Sequence, residues 1–459
     1  MTGRFGDALS CGACRRFPSQ RAQAGRIHPL LLIVLLSLAM IVLAVLVLGW
    51  RGWHTPSAKS LASPGADAAA SPELIAQGAY LARAGNCMGC HSAPGGAPGA
   101  GGVGVETPFG TVYSTNLTPD ADTGLGRWSE ADFWRALHHG RSKDGRLLYP
   151  AFPYPNYTLV KREDAQALWA YLGSLPAARQ ERRAPALGWP YGSQWALAIW
   201  RGVYFRAGEF QPRPAQSAEW NRGAYLVQGL GHCGACHDGR NPLGGPRAGA
   251  SFSGQMMPGT PWYAPSLHRA DEAGVQGWND AEVLALLRQG QSPRGRVNGP
   301  MAGVVQDGTQ YLNPDDLGAI ATWLRQLPLD TTPRAPEAPR GASPAELLPA
   351  GRKLYEQHCA ECHGDQGQGA AGIYPPLAGN RMVTMASPAN LTRMVLEGGF
   401  GPTTAAHPRP FGMPPFGPLL GDNELAALFS YLRSAWGHEA GPVDSVTINR
   451  LRASGPPQH

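Results

Sequence analysis

The longest apolar stretch of the chain covers residues 29–48 and has Ser37 as its one polar interruption. About 20 such residues are what a helix needs to cross the hydrocarbon core of a bilayer. We therefore predict a transmembrane helix at residues 27–50. Trp50 and Trp53 lie where an interfacial aromatic belt would be.

Positive charge lies on one side of this stretch. Arg15, Arg16, Arg21 and Arg26 all precede it, and basic residues that flank a membrane helix stay on the cytoplasmic side. We expect a cytoplasmic N-terminal tail at residues 1–26, a helix in the cell inner membrane and a periplasmic remainder. Residues 66–68 resemble a cleavage site but lie far beyond the apolar stretch, which favours a retained anchor over a cleaved signal.

Beyond the membrane helix, apolar positions recur at helical spacing in three successive segments. Each segment ends in an amphipathic helix, predicted at residues 164–175, 314–327 and 422–436. A shorter helix precedes each of these, at residues 130–138, 280–288 and 389–396, and stops before a glycine that would serve as its C-cap. The pattern predicts a mainly α fold with three similar domains.

A Cys-x-x-Cys-His motif occurs once in each segment. The motifs comprise, in chain order, Cys87, Cys90 and His91; Cys233, Cys236 and His237; and Cys359, Cys362 and His363. This spacing is typical of covalent haem c attachment, in which both thiols form thioethers and the histidine becomes the proximal iron ligand. Zinc sites, thioredoxin-like pairs and disulfides also use Cys-x-x-Cys, but none of them explains the repeated histidine. We predict three covalently bound haem c groups.

Composition agrees with packed domains that are rich in loops. The chain has 459 residues, with 60 Gly, 43 Pro and 43% hydrophobic residues, which suits roughly three domains. Its formal net charge of +6 is concentrated before the membrane helix, and haem propionates would make the exported part mildly acidic. Binding to nucleic acid therefore has no support.

Changes in composition mark the predicted boundaries. Residues 51–71 and 329–344 form linkers, the second of them rich in proline. The domains are predicted at residues 72–176, 217–328 and 345–438, and a tail at residues 439–459. Residues 177–216 form an aromatic-rich connector, which serves either packing between domains or docking on a partner or on the membrane surface.

Methionine usually completes the coordination of an electron-transferring haem iron. Met301 in the second domain and Met413 in the third each precede the final helix in a predicted loop, and we expect them to be the distal ligands.

The first domain departs from this pattern. It has Phe152 in the corresponding region, and no methionine occurs between Met88 and Met256. Its iron is predicted to be five-coordinate or to use His138 or His139, which end a helix a few residues upstream. A solvated helix terminus, favoured by the helix dipole, is the other explanation for this histidine pair.

Several segments resemble the three-haem cytochrome c subunit of membrane-bound bacterial dehydrogenases, the family that serves quinoprotein alcohol dehydrogenase and flavin-dependent gluconate, sorbitol and fructose dehydrogenases. They are TPFGT at 107–111, STNLTPD at 114–120, LLYPA at 147–151, GHCGACH at 231–237, WYAP at 262–265 and YPPLAGN at 374–380. The resemblance implies tandem cytochrome c domains that pass electrons from a catalytic subunit to ubiquinone or onward to the respiratory chain. It also implies a methionine at the position that Phe152 occupies here.

The leading interpretation is a membrane-anchored electron-transfer subunit with no catalytic residues of its own. Its partner would be a dehydrogenase of the flavin, pyrroloquinoline quinone or molybdenum type, and its acceptor ubiquinone or another cytochrome. No nucleotide-binding unit and no combination of nucleophile and base is recognisable in the sequence. The alternative is a peroxidase-like haem enzyme with an open position on the first iron. A terminal-oxidase subunit is a third possibility, which the family segments disfavour.

Overall fold

The computed structural model describes residues 29–54, 70–332 and 344–454. The predicted cytoplasmic tail and most of both linkers lie outside the described residues. The described chain forms two compact units, one that ends at Val47 and one that begins at Leu48. The first consists of the apolar part of helix α1 (Pro29–Trp53), which is long and apolar enough to cross a membrane. Because α1 continues to Trp53, the first linker starts later than the predicted residue 51.

The predicted mainly α fold is confirmed, and the elements recur in three segments. The first segment contains α2 (Pro72–Ala84), α3 (Cys87–His91), β1 (Gly104–Thr107), β2 (Gly110–Tyr113), α4 (Glu130–His139), α5 (Tyr154–Tyr157), α6 (Arg162–Gly173), β3 (Ala186–Leu187) and α7 (Gln194–Tyr204). The three strands form one antiparallel sheet in the order β1-β2-β3, with Val105 opposite Val112 and Thr111 opposite Ala186.

The second and third segments follow the same plan with shorter strands. The second contains α8 (Ala218–Tyr225), a π-helical turn (Leu226–Leu230), α9 (Gly234–His237), β4 (Gln255–Met256), β5 (Tyr263–Ala264), α10 (Asp280–Gln289), β6 (Gln291–Ser292), β7 (Gly295–Arg296), α11 (Pro300–Asp307), a 3₁₀ turn (Thr309–Tyr311) and α12 (Pro314–Arg325). The third contains α13 (Pro344–His358), α14 (Ala360–His363), α15 (Arg381–Thr384), α16 (Ala389–Glu397), β8 (Gly399–Phe400), β9 (Gly412–Met413), α17 (Asp422–Leu432) and α18 (Ser445–Ala453). Strands β4 and β5, β6 and β7, and β8 and β9 form antiparallel pairs.

Each segment is held together by a close crossing of its first and last long helices. These pairs are α2 with α6, α8 with α12, and α13 with α17. A Cβ on Gly78, Gly223 or Gly351 would lie 1.9 Å, 1.9 Å or 2.1 Å from a carbonyl oxygen of the partner helix. Only glycine permits backbones to approach this closely, so the same residue type recurs at the same place in all three segments.

The shorter helices end where local sequence dictates. Ser129 and Asp132 form a capping box at the start of α4, and Asn279 and Glu282 form one at the start of α10. Both helices end at a glycine in the left-handed region, Gly140 or Gly290, as predicted.

The first two segments share one hydrophobic core, and the third has its own. Buried residues from Leu81 to Trp323 form a continuous cluster, whereas a second cluster runs from Tyr355 to Ile448. The predicted domains 72–176 and 217–328 are therefore packed as a pair.

A reciprocal pair of hydrogen bonds fixes how the first two segments meet. Tyr80 on α2 donates to Asp316 on α12 at 2.6 Å, and Tyr225 on α8 donates to Asp164 on α6 at 2.5 Å. Arg222 adds two bonds to Asp316, of 2.7 and 2.8 Å. Because each tyrosine follows the crossing glycine of its own segment, the arrangement has approximate twofold symmetry.

The aromatic-rich connector, residues 177–216, contributes regular elements and packs on its neighbours. It contains β3 and α7, and most of its aromatic rings pack against neighbouring segments. Tyr191 stacks on Phe109 with ring centroids 4.1 Å apart, and Phe205 is buried against Tyr154. Trp189, by contrast, is 91% exposed.

A tail was predicted at residues 439–459, but the described part of this range, up to residue 454, belongs to the third segment. Residues of this region form α18, and the side chain of Ile448 is fully buried in the core of the third segment. Arg452 donates to the carbonyl oxygens of Gly417 and Leu420 at 3.0 and 2.7 Å. This helix completes the third segment and is not an appendage.

Replacing Gly223 with alanine should destabilise the protein by about 3 kcal/mol, because the new Cβ would overlap the Ala319 carbonyl and force α8 and α12 apart. Denaturant unfolding of the haem-loaded protein measures the difference. The matched control is Gly318→Ala on α12, where the nearest atom is 3.7 Å away. It should be neutral or stabilising, because alanine favours a helix over glycine. Equal losses in both variants would contradict the crossing as the constraint.

Replacing Asp316 with asparagine should lower the free energy of unfolding at pH 7 by about 2 kcal/mol. Burial opposes ionisation of this carboxyl, but the bonds from Arg222 and Tyr80 outweigh it and leave its pKa below the usual value. Because the pKa is lowered in the folded state, the ionised carboxyl stabilises the fold at pH values above the unfolded-state pKa of about 3.9. This stabilisation is lost as pH falls through the folded-state pKa. The difference between wild type and variant should therefore shrink below about pH 4. Asp315→Asn, at an exposed neighbouring position, is the control. A difference that stayed constant down to about pH 3 would argue against an ionised Asp316.

Candidate haem-binding sites

The six motif cysteines are all free thiols in the structure. The disulfide alternative therefore finds no pairing among them. Burial raises the pKa of the Cys87, Cys233 and Cys359 thiols to about 12, and the neighbouring second thiol of each motif adds to this. A neutral sulfur suits such apolar surroundings, because a thioether has no charge to desolvate. The thiols thus fit covalent attachment of a porphyrin.

Each motif histidine is held in the same way. The Nδ1–H group of His91 donates to the carbonyl oxygen of Thr115 at 2.7 Å, that of His237 to Pro265 at 2.7 Å and that of His363 to Pro375 at 2.9 Å. A carbonyl oxygen can only accept, so the bond fixes the proton on Nδ1 and leaves the lone pair on Nε2. This is the tautomer that binds iron, and the bond also orients the ring.

The three imidazoles are also kept neutral. Burial lowers the pKa of His91, His237 and His363, and this effect exceeds the opposing effect of the carbonyl bond. A neutral imidazole can donate its Nε2 lone pair to a metal, whereas an imidazolium cannot. The residues therefore fit haem iron at all three motifs.

The two predicted distal methionines lie in the same clusters as the motif cysteines. Met301 packs on the core cluster that Cys87 and Cys233 also contact, and Met413 packs on the cluster that Cys359 contacts. Met413 is in β9, the element that precedes the final long helix of its segment. Met301 lies in the first turn of α11 and not in the predicted loop.

The structure places Phe152 at the position that corresponds to Met301. The backbone N–H of Leu148 donates to the carbonyl of Gly140 at 2.8 Å, and that of Val297 donates to Gly290 at 2.9 Å. Phe152 and Met301 follow these hydrogen-bonded residues by the same number of positions. The phenyl ring packs on the shared core, 5.4 Å from the ring of Tyr157.

The alternative candidates, His138 and His139, are buried at the end of α4, so the solvated-terminus explanation is wrong. The ring of His138 stacks on Trp134 at 4.5 Å and meets that of His139 edge-on. Burial lowers the pKa of His138 to about 4, and the adjacent His139 contributes to this shift. Burial also lowers the pKa of His139, with Arg201 and two further arginines as its charged neighbours. These surroundings do not favour an iron ligand at His139.

The first two motifs lie next to each other. A Cβ on Gly85, just before the first motif, would lie 3.4 Å from both the sulfur of Cys87 and a side-chain carbon of Leu230, which precedes the second motif. Helix α11, which carries Met301, packs against α3, and α5, which follows Phe152, packs against the π-helical turn before the second motif. In each of the first two segments, the part of the chain that carries Met301 or follows Phe152 thus packs against the haem-attachment region of the other segment.

Sequence reasoning missed the residues that support the sites from outside the motifs. The carbonyl acceptors are in the segments STNLTPD, WYAP and YPPLAGN, whose only signal in the sequence is their resemblance to a family. A further residue, Arg296 on β7, reaches the third site, where its charge contributes to the lowered pKa of His363. It lines a cavity of about 280 Å³ between the second and third segments, together with Ile373, His407, Arg409 and Phe411.

These features define a class of protein: helices crossing at glycine, with a Cys-x-x-Cys-His motif and a neutral, oriented histidine beside them, are those of a c-type cytochrome. The sequence profile named Cytochrome c matches residues 75–176 and 349–436. Cytochrome c domains imply covalently bound haem c and electron transfer.

The relatives are more specific. The chain is 37% identical to the cytochrome c subunit of alcohol dehydrogenase (quinone) from Gluconacetobacter polyoxogenes, over 86% of each chain. It is 37% identical to the gluconate 2-dehydrogenase cytochrome c subunit of Pantoea cypripedii, over 84% of this chain and 91% of that one. It is 40% identical to one of the subunits of nicotinate dehydrogenase from Pseudomonas putida, over 83% of this chain but 32% of that protein. The chain belongs to the family of dehydrogenase cytochrome c subunits.

Proposed function

We propose that this protein carries three haem c groups and relays electrons from a catalytic dehydrogenase subunit to ubiquinone or another cytochrome. The observation that carries the proposal is the identical hydrogen bond from Nδ1 to a main-chain carbonyl at His91, His237 and His363. The second segment lies outside the two matched ranges, but it has the same motif, the same bond and the same glycine crossing. All three segments are therefore equally prepared for haem.

In each segment the protein would supply attachment and orientation. Haem iron, when bound, alternates between ferric and ferrous states and so carries one electron. The thiols would hold the porphyrin, the oriented histidine would be its proximal ligand, and Met301 and Met413 would be the distal ligands in the second and third segments. Since a His/Met pair raises the reduction potential, these two sites are suited to accept electrons.

The packing of the segments supports a continuous path. Tyr80, Tyr225 and their aspartate partners hold the first two segments in one orientation, which keeps the first motif near the second. The third segment is joined to the second by polar contacts: Asn390 bonds both the N–H and the carbonyl of Tyr263 at 2.9 and 2.8 Å. A rigid arrangement keeps distances between redox groups constant from one transfer to the next.

We also propose that α1 anchors the protein in the inner membrane with its N-terminus in the cytoplasm. The last turn of α1 packs tightly on α7: a Cβ on Gly52 would lie 1.7 Å from the Ala198 carbonyl, and Arg201 donates to the Gly52 carbonyl at 3.1 Å. Trp50 and Trp195 are 61% and 65% exposed beside this junction. Exposed tryptophans at the end of an apolar helix suit the lipid headgroup region, so the connector would serve the membrane surface as well as packing between segments.

The partner follows from the relatives. They are subunits of alcohol, gluconate and nicotinate dehydrogenases, so the electron donor would be a separate dehydrogenase subunit. Pyrroloquinoline quinone, flavin and molybdenum all remain open as its cofactor, because the relatives serve dehydrogenases of unlike substrates.

Replacing both cysteines of one motif should remove one haem and leave two. Cys87→Ala/Cys90→Ala, Cys233→Ala/Cys236→Ala and Cys359→Ala/Cys362→Ala test the three sites separately, by the intact mass of the purified protein and by the loss of one component in a redox titration. Cys11→Ala/Cys14→Ala is the matched control, since this pair lacks the following histidine, and should keep all three haems. A wild-type mass with fewer than three haems would refute the proposal.

A periplasmic reporter, active only after export, tests the orientation of the chain. Fused after Ala453 it should be active, because the C-terminal segment would lie in the periplasm. Fused after Arg26 it should be inactive, because this position precedes the membrane helix. Activity of the second fusion, or inactivity of the first with the chain intact on a blot, would reverse the proposed topology.

A further inference from the structure

The distal position of the first haem site has a side chain that cannot bind iron. Phe152 occupies the register that Met301 occupies in the second segment, as the matching bonds of Leu148 to Gly140 and Val297 to Gly290 show. The substitution is therefore a replacement of the ligand itself and not a displacement of the loop around it. A phenyl ring has no lone pair to donate.

The ring beside Phe152 belongs to the first haem site as well. The ring centroid of Tyr157 lies 5.4 Å from that of Phe152. Burial raises the pKa of Tyr157 well above its ordinary value, and the nearby Cys87 and Cys90 add to this effect. Its hydroxyl donates to the carbonyl oxygen of Gly85 at 3.3 Å. The phenol is thus neutral, buried and close to the attachment thiols.

The nearby histidines face other groups. Burial is the largest cause of the lowered pKa of His139, and the charges of the nearby Arg135, Arg141 and Arg201 lower it further. The ring of His138 contacts those of Trp134 and His139, with centroids 4.5 and 4.7 Å away.

A third histidine, His232, approaches from the second segment. Its ring lies 5.3 Å from that of Tyr157, and its Nδ1 is 3.1 Å from the carbonyl oxygen of Leu230. The ring of Tyr157 thus contacts both Phe152 in its own segment and His232 in the second.

We propose that the first haem has an open sixth position that binds a small neutral diatomic molecule such as carbon monoxide or nitric oxide, in a site bordered by Phe152 and Tyr157. The inference rests on the proposed haem attachment at the first motif. Two uncharged aromatic side chains offer nothing to offset the desolvation of an anion, so a neutral ligand is favoured. The phenyl ring also takes up the space in which methionine would lie, which restricts the ligand to a few atoms.

Carbon monoxide added to the dithionite-reduced full-length protein is the test, read as a difference spectrum without any dehydrogenase or substrate. Wild type should bind about one carbon monoxide per protein, because the first iron would lack the methionine that Met301 and Met413 would supply to the other two. Phe152→Met should abolish this signal and convert the ferric first haem from high-spin to low-spin in the EPR spectrum, because the sulfur fills the open position.

Two further variants control for indirect effects. Phe133→Met makes the same change at a buried position of the same core cluster, and it should leave carbon monoxide binding unchanged. Met413→Phe should create a second binding haem by opening the third site. This variant keeps the idea testable if Phe152→Met fails to fold.

Other outcomes would overturn the inference. Three haems by mass with no carbon monoxide bound to wild type would exclude the open position while leaving the relay intact. Carbon monoxide binding that appears only in His138→Ala, His139→Ala or His232→Ala would identify that histidine as the sixth ligand. A protein without a haem on Cys87 and Cys90 would instead contradict the proposed function itself, so the two failures can be told apart.

Discussion

The rest of the structure depends on the close crossing of two helices at a glycine. Gly78, Gly223 and Gly351 let the first and last helices of each segment touch backbone to backbone, which no other residue type allows. In each segment the Cys-x-x-Cys-His motif begins within a few residues of the end of this first helix or of the π-helical turn that extends it. The attachment site therefore lies next to the helix that makes the close crossing, and loops of different length can be accommodated between the two helices.

The crossing also explains how the first two segments combine. The tyrosine that follows each of the first two crossing glycines reaches an aspartate on the last helix of the other segment. A second reciprocal contact joins the same two segments: α11 of the second packs on α3 of the first, and α5 of the first packs on the π-helical turn of the second. Each segment thus completes the surroundings of the other's motif, and the two share one core. The third segment keeps its own core and adds α18 to close it. Its contacts with the second segment include the hydrogen bonds between Asn390 and Tyr263 and the packing of Arg381 over the ring of Trp278.

Much of this could be predicted from the sequence, and the omissions have physical causes. Motifs and amphipathic helices are local patterns, so the helices at residues 130–138, 280–288 and 389–396 were predicted to within a residue. The carbonyl acceptors Thr115, Pro265 and Pro375 could not be found, because any residue has a carbonyl and only the fold aims it at a histidine. Helix α18 was missed because its apolar side is only Ile448 and Leu451, too few to show a period. The pairing of Tyr80 with Asp316 joins residues far apart in the chain, which no periodicity reveals.

The replacement of a methionine by Phe152 in the first segment affects the direction of electron flow. A thioether ligand raises the potential of a haem relative to other ligand sets, so the proposed site at Phe152 lacks a contribution that Met301 and Met413 provide. The proximal ligand and its carbonyl bond are alike in all three segments, so they do not compensate for this loss. The first haem would then have the lower potential of the adjacent pair. With the first and second motifs side by side, electrons received at the first haem would pass downhill to the second, and a phenylalanine in place of a ligand would set the direction of the relay.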